Sequence, residues 1–148
     1  MLNVSYQEYG THSVPLEIDQ GAVECWVKVV ATSAQQVMVA YHYLNGIATQ
    51  SGKFKYLHNS GGVTFVDSGL SVDTNWHHLL LNFDHGGTAD FWIDGEKKVA
   101  AGAFTSTLSA GRSWYIGDYY YSNNPYEGLI DTVRIYNRNL EDSEILRN

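Results

Sequence analysis

The sequence predicts an all-β fold, a single sandwich of jelly-roll type. Three observations lead there: apolar residues recur with a period of two, short runs alternate with Gly-, Ser- and Asn-bearing turns, and only Pro15 and Pro125 interrupt the strands. In residues 23–30 (VECWVKVV), Val23, Cys25, Val27 and Val29 share one face while Glu24, Trp26 and Lys28 share the other. In 37–43 (VMVAYHY), Val37, Val39, Tyr41 and Tyr43 alternate with Met38, Ala40 and His42. Residues 77–84 align Leu79, Leu81 and Phe83, and residues 89–94 set Ala89, Phe91 and Ile93 opposite Asp90, Trp92 and Asp94. The DHGGT run between them suits a hairpin loop, and Asp94-Gly95 marks a two-residue turn into the next strand, because glycine takes positive φ without a Cβ clash. Further strands are expected at 3–9, 13–19, 53–58, 63–67, 97–104, 113–117 and 129–136. The tail LEDSEILRN predicts one short helical turn capped by Asn139 or Asp142.

With 148 residues, no linker, no internal repeat and no low-complexity tract, residues 1–148 read as one domain with one core. A hydrophobic content of 44% against 17% charged residues excludes the composition of a disordered chain. A formal charge of -7 with no basic run argues against nucleic acid and against an anionic membrane surface as partners. Cys25 is the single cysteine, so no internal disulfide holds the fold. No stretch is apolar and long enough to span a membrane, and the start MLNVSYQEYG lacks the basic and apolar regions of a signal peptide.

The second half carries a sequence of motifs: Trp76-His77, Asp94-Gly95, Ile116-Gly117, the Gly128 to Arg138 segment, then Leu140 and Glu144-Ile145. Together with VECWVKV they resemble the laminin-G-like, concanavalin A-like lectin/glucanase family over about residues 20–147. The resemblance implies two curved antiparallel sheets. It leaves activity open, since that fold hosts lectins, adhesion modules, protein-binding domains and glycoside hydrolases.

Glu17, Asp19 and Glu24 resemble the Glu-x-Asp-x-(x)-Glu track of laminarinase-type hydrolases. Glu24 falls beyond Gly21 on the next strand, and no catalytic pair is expected. His77 and His78 point to opposite faces, which argues against a shared metal; a buried, hydrogen-bonded His77 or a partly exposed His78 is expected. His12, His42, His58 and His85 show no metal-ligand spacing. Asp131 falls with Leu129, Val133 and Ile135 on an apolar face, where it is expected to accept backbone or indole N–H bonds. Calcium at Asp131 is the alternative, as in some relatives of the family. No dense Asp/Asn cluster surrounds it, and no cofactor is assigned.

Recognition is placed in GDYYYSNNPYEG, residues 117–128, with Asp118, Tyr119, Tyr120, Tyr121, Asn123, Asn124 and Tyr126 as ligand contacts. Aromatic rings stack on the apolar faces of sugars while amides and carboxylates meet hydroxyls, and tyrosine-rich loops equally suit protein surfaces. Glu24, Trp26, Lys28, Asp90 and Trp92 form a second polar-aromatic surface, whose tryptophans are expected to pack on neighbouring strands or loops. The expected function is a non-catalytic, lectin-like module binding a glycan or glycosylated surface, extracellular or on a virion or cell surface. The alternative is a structural or adhesion protein assembled into a larger complex, which a chain running from Met1 to the family's own tail would suit.

Overall fold

The computed structural model of the chain describes residues 2–4, 10–12, 20–30, 35–42, 45–59, 61–84, 87–105, 113–118 and 125–146. Among them lie twelve strands: β1 (Leu2–Val4), β2 (Gly10–His12), β3 (Gln20–Val29), β4 (Gln36–Tyr41), β5 (Asn45–Gln50), β6 (Lys53–Asn59), β7 (Val63–Ser71), β8 (Trp76–Asp84), β9 (Gly87–Ile93), β10 (Glu96–Phe104), β11 (Trp114–Ile116) and β12 (Gly128–Tyr136). One helical turn, α1 (Asp142–Ile145), follows. Two six-stranded antiparallel sheets result, ordered β1-β12-β3-β8-β9-β10 and β2-β11-β4-β5-β6-β7.

The first sheet is organised by β3 and β8, which pair without a break from Gln20↔Asp84 to Lys28↔Trp76. Their inward residues Val23, Cys25, Val27, Val29, Leu79 and Leu81 are at most 1% exposed and face Met38, Ile47, Phe54 and Tyr56 from the second sheet. The Tyr56 hydroxyl crosses the sandwich to donate to the Ala103 carbonyl at 2.9 Å, and burial pushes its pKa up to about 12. The Asp94-Gly95 turn takes φ of 52° and 76°, the doubly positive pattern that a tight hairpin with right-handed strand twist requires.

Each sheet also buries part of its outer face. Val37, Ala40, Ala48 and Leu57 form a cluster on the outside of the second sheet, so β4 is buried at every position rather than at alternate ones. On the outside of the first sheet, Ala22, Leu80 and Trp92 are covered by Leu140 and Ile145, with Tyr136 packed alongside. The Asn82 side chain fixes that cover by donating to the Leu140 carbonyl at 2.9 Å and accepting its N–H at 3.0 Å. The helical turn is capped by Glu141, not by Asn139 or Asp142, because the Glu144 carboxylate accepts the Glu141 N–H at 2.9 Å while holding Arg138 at 2.8 and 2.7 Å.

Several expectations change. The strand expected at 13–19 lies outside the described residues, and the run expected at 3–9 is a strand at Leu2–Val4, with a further short strand at Gly10–His12. β5 was not anticipated: its Asn45-Gly46 start reads as a turn, yet it is central in the second sheet. Gly46 is required there, because a Cβ would run into the Val39 carbonyl and the Ala40 backbone. Asp131 does not share a face with Val133 and Ile135. A bulge between Asp131 and Arg134, with Thr132 at φ 51°, inserts an extra residue and changes the parity. Asp131 therefore sits outward opposite Trp26 and accepts the Thr132 hydroxyl at 3.2 Å, while Ile130, Val133 and Ile135 pack on the core.

The collision is with backbone, which gives way less easily than a side chain. Gly46→Ala is therefore expected to destabilise the fold by about 3 kcal/mol, the upper end for overpacking, read as a lowered midpoint in urea with an unchanged slope.

Candidate functional site

The tyrosine-rich segment is pinned at both ends. The Gly117 N–H donates to the Met38 carbonyl at 2.7 Å, and the Tyr126 N–H donates to the Gly117 carbonyl at 2.8 Å, closing the segment at its base. Beyond it, the Glu127 N–H donates to Gln36 Oε1 at 3.2 Å and the Val30 N–H to the Glu127 carbonyl at 3.0 Å. Tyr126 is fully buried, its hydroxyl 3.3 Å from the Leu129 carbonyl, and burial holds its pKa above the usual phenol range. Asp118 is 2% exposed. Tyr126 and Asp118 are thus anchors of the segment rather than displayed contacts. Position explains this: Tyr126 lies two residues before β12, where the chain returns into the sandwich. Tyr119, Tyr120, Tyr121, Asn123 and Asn124 lie outside the described residues.

A second constellation occupies the outer face of the first sheet. Glu24 is fully buried, and its two oxygens are divided among three partners: Oε1 accepts from Arg134 Nη1 at 2.8 Å and the Tyr136 hydroxyl at 2.7 Å, and Oε2 lies 2.8 Å from His78 Nε2. Burial alone would raise this carboxyl's pKa, but the bonds from Arg134, Tyr136 and His78 outweigh it and the pKa is lowered. Burial and the Glu24 charge raise the Tyr136 hydroxyl in turn. His78 is 4% exposed, more buried than expected, because Trp26 covers it at 5.3 Å between ring centroids. Trp26, Lys28 and Trp76 are half-buried on this face, with Asp131 opposite Trp26 and Trp76 opposite Lys28.

The rest of the expected second surface separates from these residues. Trp92 is 5% exposed beneath the C-terminal turn, with Lys97 Nζ 4.7 Å from its ring centroid. Asp90 accepts Lys97 at 2.8 Å and the Ala101 N–H at 2.7 Å. Burial opposes these bonds, but they lower its carboxyl pKa. Asp90 lines a polar cleft of about 320 Å³ with Asn82, Asp84 and Thr88 on one wall and residues 139–142 on the other. Among the described residues no group of three His, Cys, Asp or Glu side chains is arranged to hold a metal ion. Sequence reasoning missed Trp76, read only as the opening of a Trp-His pair, and Arg134 and Tyr136, which reach Glu24 from a strand 110 and 112 residues away.

His77 faces inward as expected. Its Nδ1 lies 2.6 Å from Asp94 Oδ2 and its Nε2 lies 3.1 Å from Asp73 Oδ1, an arrangement in which the imidazolium form donates to both carboxylates. Burial lowers its pKa, but Asp94 and Asp73 outweigh burial and raise it above 6.5. Asp94 Oδ1 also accepts the His78 N–H at 2.8 Å, which ties the Asp94-Gly95 turn to β8.

The fold is an antiparallel sandwich of two sheets with an aromatic, polar outer face on the first. The chain belongs to the concanavalin A-like lectin/glucanases superfamily, whose family profile it matches over residues 5–146. No curated protein sequence matches it. Among solved structures it is similar to domain 4 of AbnA, a GH43 extracellular arabinanase from Geobacillus stearothermophilus, in complex with arabinotriose. That match has 21% identity and a TM-score of 0.72, covering 89% of this chain and 67% of that one. It is also similar to the binding domain of botulinum neurotoxin DC in complex with SialylT (11% identity, TM-score 0.62, 87% of this chain and 35% of that one). A Trypanosoma rangeli sialidase shares 15% identity at a TM-score of 0.62, over 86% of this chain and 22% of that one. At these identities the likeness is one of fold.

Two predictions follow from the buried groups. Glu24→Ala leaves His78 and Tyr136 without their buried acceptor and is expected to cost about 3 kcal/mol of stability, measured by urea denaturation. Because His77 has a raised pKa in the folded state, its contribution is complete below 6.5 and is lost as pH rises through the higher folded value. The stability difference between wild type and His77→Gln should accordingly shrink with rising pH in denaturant titrations.

Proposed function

We propose that this chain is a non-catalytic, lectin-like recognition module that binds a glycan or glycosylated surface through Tyr119, Tyr120, Tyr121, Asn123 and Asn124, acting outside the cell or on a virion or cell surface. The observation that carries this reading is the closed base of the tyrosine-rich segment, where Gly117 and Tyr126 bond to each other and Asp118 and Tyr126 are buried. A loop closed at its base on a rigid scaffold has a lower ordering cost on binding. The arabinotriose and SialylT complexes of structural neighbours support a saccharide as the ligand class. The non-catalytic reading is supported by Glu24, whose carboxylate is committed to Arg134, Tyr136 and His78 and is not poised as half of a hydrolytic pair.

A second reading is an adhesion or assembly role within a larger complex. It is favoured by β7, a nine-residue strand at the edge of its sheet among the described residues, with Val63 38% exposed, a geometry that suits strand addition. A glycan array in calcium and in EDTA separates the two. Specific binding is expected, and Tyr119→Ala, Tyr120→Ala and Tyr121→Ala combined should weaken it by about tenfold or more. Unchanged affinity in the triple variant would remove the loop from the reading. A silent array with a stable oligomer in light scattering would favour assembly.

A further inference from the structure

Among the described residues, Lys53, Lys55, Lys97, Lys98, Arg134 and Arg138 each meet a carboxylate or a backbone carbonyl. Lys28 meets neither, although the chain carries 16 acidic residues. It is half-buried in the first sheet between Trp76 on β8 and Leu129 on β12. A cation held among apolar side chains without a counter-ion is unfavourable unless something anionic comes to it.

What surrounds Lys28 gives the chemistry of that anion. Trp76 lies directly across from Lys28, and Trp26 lies two residues back on β3, so the two tryptophans occupy diagonal positions on adjacent strands, close enough for large side chains to meet one ligand. Both are half-buried and neither indole N–H has a protein acceptor among the described residues, whereas Trp92 and Trp114 are 5% and 3% exposed. Beyond Trp26, Arg134 is half-exposed and gives Nη1 to Glu24. Asp131, beside Trp26, adds an acceptor. The pattern is Trp26 between the levels of Lys28 and Arg134, with Trp76 across from Lys28 on one side and Asp131 across from Trp26 on the other.

We propose that this face is a second binding site, for a saccharide bearing a carboxylate: the pyranose rests on Trp26 and Trp76, and Lys28 takes the acid group. Aromatic faces meet the C–H face of a sugar and the hydroxyl rim finds both donors and an acceptor, a combination that an acidic peptide would use less fully. The site lies on β3, β8 and β12 and does not rest on the tyrosine-rich segment.

The test is a titration of 15N-labelled protein with glucuronate, galacturonate and N-acetylneuraminate, set against glucose and galactose, following the indole Nε1–H signals. The Trp26 and Trp76 signals should respond to an acidic sugar at about tenfold lower concentration than to the neutral ones, while Trp92 and Trp114 stay still. Lys28→Gln should abolish that preference and Lys28→Arg should keep it, both with unchanged urea midpoints. The proposal is overturned if no acidic sugar moves Trp26 or Trp76, if Lys28→Gln retains the preference, or if only an acidic peptide moves them. The triple tyrosine variant should respond as wild type does. Loss of glycan-array binding with an intact indole response would leave both sites standing, whereas a flat indole response with intact array binding would sink this one alone.

Discussion

The structure depends on β3 serving two interiors at once. Its inward residues Val23, Cys25, Val27 and Val29 belong to the core between the sheets, so its outward residues must satisfy whatever covers the other side. At Ala22 that cover is apolar, and at Glu24 it is a carboxylate with no exposure. A buried charge of this kind is strongly unfavourable unless every oxygen is satisfied, and Glu24 is satisfied only when His78 on β8 and Arg134 and Tyr136 on β12 stand beside it. Slipping either neighbour by one residue would bring core side chains to Glu24 and send its partners inward. The carboxylate thus holds three strands in register, and the bulge at Thr132 is what lets Arg134 reach it while Ile130 and Ile135 both stay inside.

Much of this was legible from period two. The inward sets on β3, β8 and β9 are the ones that alternation assigns, and the Asp94-Gly95 turn falls where glycine chemistry places it. Alternation assumes a strand with one wet face and no inserted residue. It therefore misjudged β4, where both faces are buried, and Asp131, where a bulge changes parity. It also passed over β5, because Asn45-Gly46 carries the composition of a turn while Gly46 is there for close approach to β4. Those errors share a cause: each is decided by a packing partner on another strand, which alternation within one strand does not register.

The candidate sites were legible to a different degree. Composition drew attention to residues 117–128 but treated all its members alike, whereas burial marks out Asp118 and Tyr126 among the described ones. The polar-aromatic face was visible on β3 as Glu24, Trp26 and Lys28, yet its division into an open and a covered part was not. That division depends on long-range contacts from β12 and the tail.

The C-terminal turn makes the division. Only four residues long, α1 lacks the length to be stable alone, and it is held by the Asn82 bonds to Leu140, the Arg138–Glu144 fork and the burial of Ile145. By covering Leu80 and Trp92 it removes an apolar patch that would otherwise invite association, and it ends short of Trp26 and Trp76. Indole groups lie at both ends of one sheet face, and the tail determines which remain available. A segment that reads in the sequence as a minor terminal flourish is therefore what limits recognition on this face to the Lys28 end.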